Sequence, residues 1–245
     1  MYALVTGGAQ RIGRAIVSEL AVRGYAVAVH YRSAGEEAQS LVRDINAAGG
    51  RAIAICADLT RQGACEALVD HVWSASEGKL SLVVNSAAIF EADGEGGLDV
   101  PGALKHFELN ALAPAEISAA FFRKAERSQS SGAVVNLIDQ RIMKHPSGQY
   151  IGYSMSKHAL YAATMAQAKL FAPTLRINAI SPGLTLPSGP LQGDEFFLAC
   201  KSNPMGRCPS PEEIARAVLF MAESPALCGA MLPVDCGERF IQGAI

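Results

Sequence analysis

The sequence predicts an α/β fold: one domain built on a doubly wound parallel sheet with helices on both faces. Three observations predict it. Apolar runs of strand length alternate with helical patterns along the whole chain, the pattern of parallel strands joined by crossover helices. The first strand and first helix are joined by a glycine-rich turn. The 245 residues hold no repeat, low-complexity segment or linker, and suffice to bury one sizeable core.

Tyr2 to Val5 is a short apolar run, as for a strand buried on both faces. The turn Thr6-Gly7-Gly8-Ala9-Gln10-Arg11-Ile12-Gly13 follows. Arg14 to Arg23 then carries Ile16, Val17 and Leu20 at helical spacing, and Gly24 ends it. Strand, glycine turn and helix together cradle a pyrophosphate. The glycines let backbone N–H groups approach, and the helix N-terminus adds partial positive charge. Gly7, Gly8, Arg11, Ile12 and Gly13 are the candidates for that cradle.

Ala26 to Tyr31 is the second strand. Sites for NAD place an acidic residue near this strand's end, on the ribose 2′-hydroxyl. This chain reads His30-Tyr31-Arg32-Ser33 there, with no carboxylate, and an arginine suits a 2′-phosphate. These four residues therefore predict NADPH/NADP as cofactor, with Arg11 as a second positive charge.

Glu36 to Ala48 is helical, and Ala52 to Cys56 is the third strand. Asp58 and Leu59 follow it; Asp58 either faces an adenine or caps the next helix, Arg61 to Glu77, in which Trp73 packs on the sheet. Leu80 to Val84 is the fourth strand and runs into Asn85-Ser86-Ala87-Ala88-Ile89-Phe90, small residues where open α/β sheets bind ligands. Phe90 is either core or a stacking partner. After an acidic, glycine-containing loop from Glu91 to Gly97, a long helix is expected from Asp99 to Arg127, containing Asn110 and Pro114. Pro114 has no N–H for the Asn110 carbonyl, which leaves a bound water or a tolerated kink. Ala133 to Ile138 is the fifth strand, ending at Asp139. A helix from Tyr150 to Ala172 is closed by Pro173, and Leu175 to Ile180 is the sixth strand, leading into Ser181-Pro182-Gly183-Leu184-Thr185. Pro187 to Gly193 is expected as a mobile connection over the site, within a substrate loop of about 186–205. Pro211 to Glu223 is a helix with proline at its start, and Met231 to Val234 the last strand.

Tyr153 and Lys157 stand four apart, on one face of their helix. An ammonium near a phenol favours the phenolate, so Lys157 is expected to lower the Tyr153 pKa and make it a proton donor or acceptor, while an ionised Asp139 is expected to raise that pKa and keep Tyr153 protonated further up the pH scale.

Composition narrows the function classes. Half the residues are hydrophobic, 18% are charged, and the net charge of −2 gives no footprint for nucleic acid. No apolar run spans a membrane. No basic segment leads into an apolar core at Met1, so a cytoplasmic location is expected. The six cysteines have no C-x-x-C or metal-ligand spacing; reduced structural thiols and no metal are expected. His145 and His158 lie near the tyrosine in sequence, without metal or triad spacing.

In this order and spacing, Thr6-Gly7-Gly8…Gly13, Asn85, Asn110, Tyr153…Lys157 and Ser181-Pro182-Gly183 resemble the short-chain dehydrogenase/reductase family over nearly the full chain. The resemblance implies a Rossmann-type fold, NAD(P)-dependent hydride transfer and a homo-oligomer, tetramer or dimer. It implies that Asn85, Ser86, Ala87 and Lys157 meet the cofactor, that Pro182, Gly183 and Thr185 face the nicotinamide, and that Asn110 holds a relay water.

Four details are similar to pteridine reductases and their dihydromonapterin- or dihydrofolate-reducing relatives. Arg11 replaces a glycine, strand two ends His30-Tyr31-Arg32-Ser33, Phe90 follows the Asn85 motif, and Asp139 stands where most of the family has serine. Ala88 departs from the usual serine, and Cys236 from a second glycine after Asp235. The expected activity is NADPH-dependent reduction of a pteridine-type heterocycle, with Phe90, Arg11, Asp139 and Tyr153 on the substrate. A water between Asp139 and Tyr153 would carry the proton. The alternatives are a ketone reductase, acting on a 3-oxoacyl thioester or a quinone, and an NADP-sensing protein without turnover. Asp139 weighs against the first, since a ketone oxygen is held by a neutral hydroxyl. The presence of both Tyr153 and Lys157 weighs against the second. An enoyl-thioester reductase would space its tyrosine and lysine more widely.

Overall fold

The computed structural model describes residues 1–94, 97–143, 148–189 and 191–241. Among these, seven strands form one parallel sheet: β1 (Tyr2–Thr6), β2 (Ala26–Tyr31), β3 (Arg51–Cys56), β4 (Leu80–Asn85), β5 (Gly132–Leu137), β6 (Leu175–Pro182) and β7 (Met231–Val234). Their order is β3-β2-β1-β4-β5-β6-β7. The helices are α1 (Arg11–Val22), α2 (Gly35–Ala47), α3 (Ala64–Ala75), α4 (Val100–Phe107), α5 (Ala113–Arg127), α6 (Ile151–Phe171), α7 (Gly193–Ser202) and α8 (Pro211–Glu223).

Alternation along the strands makes two cores. On β1, Ala3 and Val5 face one side and Leu4 the other. The first side packs on Ile16, Val17 and Leu20 of α1, Leu41 of α2 and Ile214 and Val218 of α8. The second packs on Leu68 and Val72 of α3, Ile117 and Phe121 of α5 and Phe171 of α6. Each such large side chain, fully buried, stabilises the fold by about 1.5–3 kcal/mol. Trp73 packs on the second side, tilted against Phe121 at 6.4 Å.

The strand order reverses between β1 and β4, which opens a crevice at the strands' C-terminal ends. Thr6 ties its two lips together. Its hydroxyl accepts from the N–H groups of Ser86 and Ala87, both at 3.1 Å.

Several elements differ from the sequence expectation. α1 begins at Arg11, which itself takes φ +53°, and α3 is shorter at both ends than 61–77. The long helix is α4 and α5 joined by a π turn, Glu108–Leu112, in which the Ala113 N–H bonds the Glu108 carbonyl five residues back. The wider turn lies just before Pro114, whose nitrogen has no hydrogen for the ordinary bond. Much of the segment read as a substrate loop is α7, which buries Phe196, Ala199 and Cys200. The consecutive Phe196-Phe197-Leu198 obscures helical spacing there. Glu95, Gly96, His145 and Pro190, parts of the loops named above, lie outside the described residues.

The expectation of reduced thiols is corrected at one pair: Cys200 at the end of α7 is bonded to Cys208. The turn after α7 brings their Cα atoms to 4.8 Å, within disulfide reach. A spacing of eight gives no sign of this in the sequence. Cys56, Cys65, Cys228 and Cys236 are free. No helix among the described residues is long and apolar enough to cross a membrane.

Candidate active site

The crevice encloses about 510 Å³, in the range of small-molecule sites. It brings together Gly7, Arg11, Ile12 and Gly13 from the first turn, His30 to Ser33 from the end of β2, and Leu59 beyond β3. Ser86, Ala87 and Phe90 enter from beyond β4, Asp139 from beyond β5, and Tyr153 and Lys157 from α6. Pro182, Gly183 and Thr185 close it at β6.

The first turn is built for close approach. Gly7 has φ +63°, and a Cβ there would lie 2.9 Å from the Cα of Ala87. A Cβ on Gly13 would strike the Gly7 carbonyl oxygen. His30 holds the turn from below: its Nδ1 accepts from the Gly7 N–H at 3.2 Å and its Nε2 reaches the Ala57 carbonyl at 3.1 Å. Burial lowers the His30 pKa and keeps the ring neutral, as an accepting Nδ1 requires. Arg11 reaches across to the Pro187 carbonyl at 3.0 Å. The backbone cradle and the arginines at the end of β2 and in the turn fit a phosphorylated dinucleotide.

Gly8, Asp58, Asn85 and Asn110, also predicted for the site, do not line the crevice. Gly8 lies under α1, where a Cβ would meet Val17 at 2.9 Å. The Asp58 carboxylate accepts from the Thr60 N–H at 3.1 Å and hydroxyl at 2.7 Å, so it caps its own turn. Asn85 is buried and donates to Asn136 at 2.8 Å and to the Pro114 carbonyl at 3.4 Å. The Asn110 amide clamps Ile89, accepting from its N–H at 2.9 Å and donating to its carbonyl at 3.0 Å, and donates to Ser156 at 3.2 Å. With its side chain so used, Asn110 positions the strip that carries Phe90.

Around Tyr153 the geometry departs from expectation in two ways. The phenol donates directly to Asp139 at 2.7 Å, which leaves no room for the expected water. The Tyr153 pKa is raised well above its ordinary value first by burial, which was not expected, and then by Asp139, which was; Lys157 is not among the charges that lower it. Lys157 sits one turn on, as the spacing predicts. Its ammonium donates to the Leu137 carbonyl at 2.9 Å and lies 5.8 Å from the tyrosine ring centre.

Sequence reasoning missed three residues here. Arg141 donates to Asp139 through its backbone N–H at 2.8 Å and its guanidinium at 3.2 Å. Burial works against its charge, but Asp139, Tyr153 and Glu238 hold its pKa above the ordinary value. Tyr150 stacks on Phe90 with ring centres 4.4 Å apart. Arg141 lies over the Phe90 and Tyr150 rings, 5.0 Å and 5.9 Å from their centres, and Tyr153 meets Phe90 edge-on with ring centres 4.8 Å apart. Asp93 caps α6, accepting from the N–H groups of Ile151 and Gly152, and so fixes the helix that carries Tyr153. Only the short distance of Arg141 and Tyr150 from Asp139 and Tyr153 along the chain was a usable signal. Among the described residues no cluster of metal ligands occurs.

Burial pushes the Lys157 pKa down to about 8, with Asp139 working the other way. The sign of the stability effect follows. Between its ordinary value near 10.5 and about 8, the unfolded chain binds this proton and the folded chain does not, so stability falls as pH drops through that window. Below it the buried charge costs on the order of 3 kcal/mol, partly offset by about 1–2 kcal/mol from the bond to Leu137. Lys157→Met is therefore expected to be at least as stable as the parent at pH 7, with the difference moving against it as pH rises through that window. Denaturant melts at both ends of the window check this; a variant much less stable at pH 7 would contradict it.

The comparisons bear on what such a crevice does. The sequence model of the family described as enoyl-(acyl carrier protein) reductase matches residues 7–238. The chain belongs to the short-chain dehydrogenase/reductase family. These are oxidoreductases, and the parallel sheet described above is their Rossmann-type fold. A structure of FolM alternative dihydrofolate reductase 1 from Brucella suis in complex with NADP is 37% identical, with a TM-score of 0.91 over 99% of this chain and 96% of that one. Pteridine reductase 1 of Leishmania tarentolae is 31% identical, over 96% of this chain and 95% of its own. The human 3-oxoacyl-[acyl-carrier-protein] reductase is also 31% identical, over 97% of each.

Proposed function

We propose that this reductase uses NADPH to reduce a pteridine-type heterocycle, a dihydropterin or a dihydrofolate-like compound. The observation that carries the reading is the Asp139–Tyr153 contact in a crevice that Phe90 also lines. A flat heterocycle in that crevice stacks against Phe90. A carboxylate paired with the phenol suits the protonation of a ring nitrogen, where a ketone oxygen needs a neutral donor. The Brucella and Leishmania relatives support the same direction. The human relative keeps the ketone reading as the rival to be tested.

NADPH, when bound, supplies the hydride. Gly7, Ile12 and Gly13 hold its pyrophosphate side, Arg32 and Ser33 with Arg11 its 2′-phosphate, and Leu59 flanks its adenine. Ser86, Ala87 and Lys157 meet its riboses, and Pro182, Gly183 and Thr185 face its nicotinamide. Tyr153 gives the proton, and burial and Asp139 together keep it protonated across the neutral range. Segment 186–205 covers the substrate. The protein acts in the cytoplasm as a homo-oligomer, tetramer or dimer; the exposed apolar Val100, Leu104 and Met155 of α4 and α6 support association.

NADPH oxidation measured against dihydropterins, quinones and a 3-oxoacyl thioester tests the reading. Turnover of a thioester or quinone with none of any dihydropterin would overturn it. The cofactor choice has its own test. Arg32→Ala is expected to weaken NADPH binding about tenfold or more, the worth of one charge-assisted phosphate contact, and to leave NADH nearly unchanged. Equal losses for both cofactors in a fluorescence titration would remove Arg32 from the phosphate site.

A further inference from the structure

We propose that Arg141 is the counter-charge of the proton donor: a positioning residue that fixes Asp139 and offsets the negative charge left when Tyr153 gives up its proton. The inference rests on the reductase reading above. In that step the Tyr153 O–H bond breaks. The proton goes to a ring nitrogen of the substrate, and the electron pair stays on the phenolate oxygen. That oxygen lies 2.7 Å from a carboxylate oxygen of Asp139. Two anions so close, and buried, need a cation.

The residues facing the phenol decide which cation serves. Lys157 donates its ammonium to the Leu137 carbonyl and lies 5.8 Å from the ring centre; its charge acts on Asp139 without a direct bond to it. His106, from α4, meets the ring edge-on at 5.9 Å and accepts the Glu91 N–H through Nε2, so that nitrogen carries no proton. Phe90 and Tyr150 bring no charge to the phenol. Arg141 is left. It binds both oxygens of Asp139, and so turns Oδ2 to the phenol. It is also the cation that acts to lower the Tyr153 pKa, against burial and Asp139. Glu238, from the turn after β7, faces Arg141 and helps hold its charge. The guanidinium flanks Phe90 and Tyr150 at the same time, so the charge that serves the proton donor also borders the stacking face.

One arm of the test needs no substrate. In Asp139→Asn the phenol loses its anionic neighbour and ionises at lower pH. There the ultraviolet titration of Tyr153, identified by its loss in a Tyr153→Phe control, is compared with that of Asp139→Asn/Arg141→Gln. Removing Arg141 is expected to move the ionisation up by about one pH unit or more. Ionisation at the same pH in both overturns the proposal, whatever the substrate proves to be. The double variant leaves no uncompensated carboxylate, which protects its fold, and NADPH binding reports on that fold.

The second arm is kinetic. Arg141→Gln is expected to lower kcat for dihydropterin about tenfold or more, with the dissociation constant of NADPH within about twofold, the pattern of an interaction made in the transition state. Arg141→Lys, which keeps the charge, is expected to restore most of kcat. A lysine variant as slow as the glutamine variant would mean that shape and not charge is needed, and would also overturn the proposal. If the parent enzyme turns over no dihydropterin, the functional reading fails, and the titration still decides the role of Arg141.

Discussion

Replacing Tyr153 by phenylalanine is expected to lower kcat by about 10²–10⁴-fold, the contribution of a positioned general acid, while NADPH still binds. The phenol is buried and donates to Asp139 at 2.7 Å, and its ring meets Phe90 edge-on at 4.8 Å. Phenylalanine keeps the ring and its packing against Phe90 and His106, so the loss is confined to the proton. It also leaves Asp139 with its two bonds from Arg141, so no carboxylate is orphaned. Steady-state kinetics with a fluorescence titration of NADPH separates the two effects. A Tyr153→Phe enzyme with near-normal kcat would remove the tyrosine from the mechanism, and Asp139 would become the proton source to test.

Local pattern carried most of the fold. β1, the glycine turn and α1 are adjacent in the chain, and their chemistry is set by neighbours only a few residues away. The Tyr153–Lys157 pair is a statement about helical spacing, so it too was legible. The upward pull of Asp139 on the Tyr153 pKa was legible as well, but burial, the larger cause, and the opposing Arg141 were not, because they depend on how deep the ring lies and on packing between segments. The Leu137 carbonyl that takes the Lys157 ammonium was hidden for the same reason, since it is twenty residues away. Asn85 and Asn110 sit in motifs that read as binding positions; the Asn85 amide nitrogen bonds Asn136 while its Oδ1 has no partner among the described residues, and the Asn110 amide bonds Ile89, both partners brought in only by folding. The Cys200–Cys208 bond and α7 were hidden because no local periodicity marks either. The π turn is an intermediate case. Pro114 announced that an ordinary helical bond was missing, but not that a wider turn would absorb it.

Asp139→Ser is expected to lower kcat for a dihydropterin by about 10²-fold or more, with little change in NADPH affinity, and to shift the pH profile. Asp139 follows β5, two strands along the sheet from the glycine turn after β1 and three from Arg32 after β2, so cofactor binding there has little reason to follow it. The shift has a definite sign. Asp139 acts to raise the Tyr153 pKa, and Arg141 acts to lower it. Removing the carboxylate leaves the guanidinium unopposed beside the phenol, so Tyr153 ionises at lower pH. The donor form is the protonated one. The alkaline limb of the kcat profile therefore moves down, and the variant loses activity at a pH where the parent keeps it. Asp139→Asn separates shape from charge. It preserves the size of the side chain, and it should show the same downward movement if the carboxylate is what matters. Should Asp139→Ser reduce dihydropterins at the parental rate with an unmoved profile, the pteridine reading of this site fails. Activity of that variant on a 3-oxoacyl thioester would then favour the ketone reductase, since a serine hydroxyl is the neutral donor that a carbonyl oxygen needs.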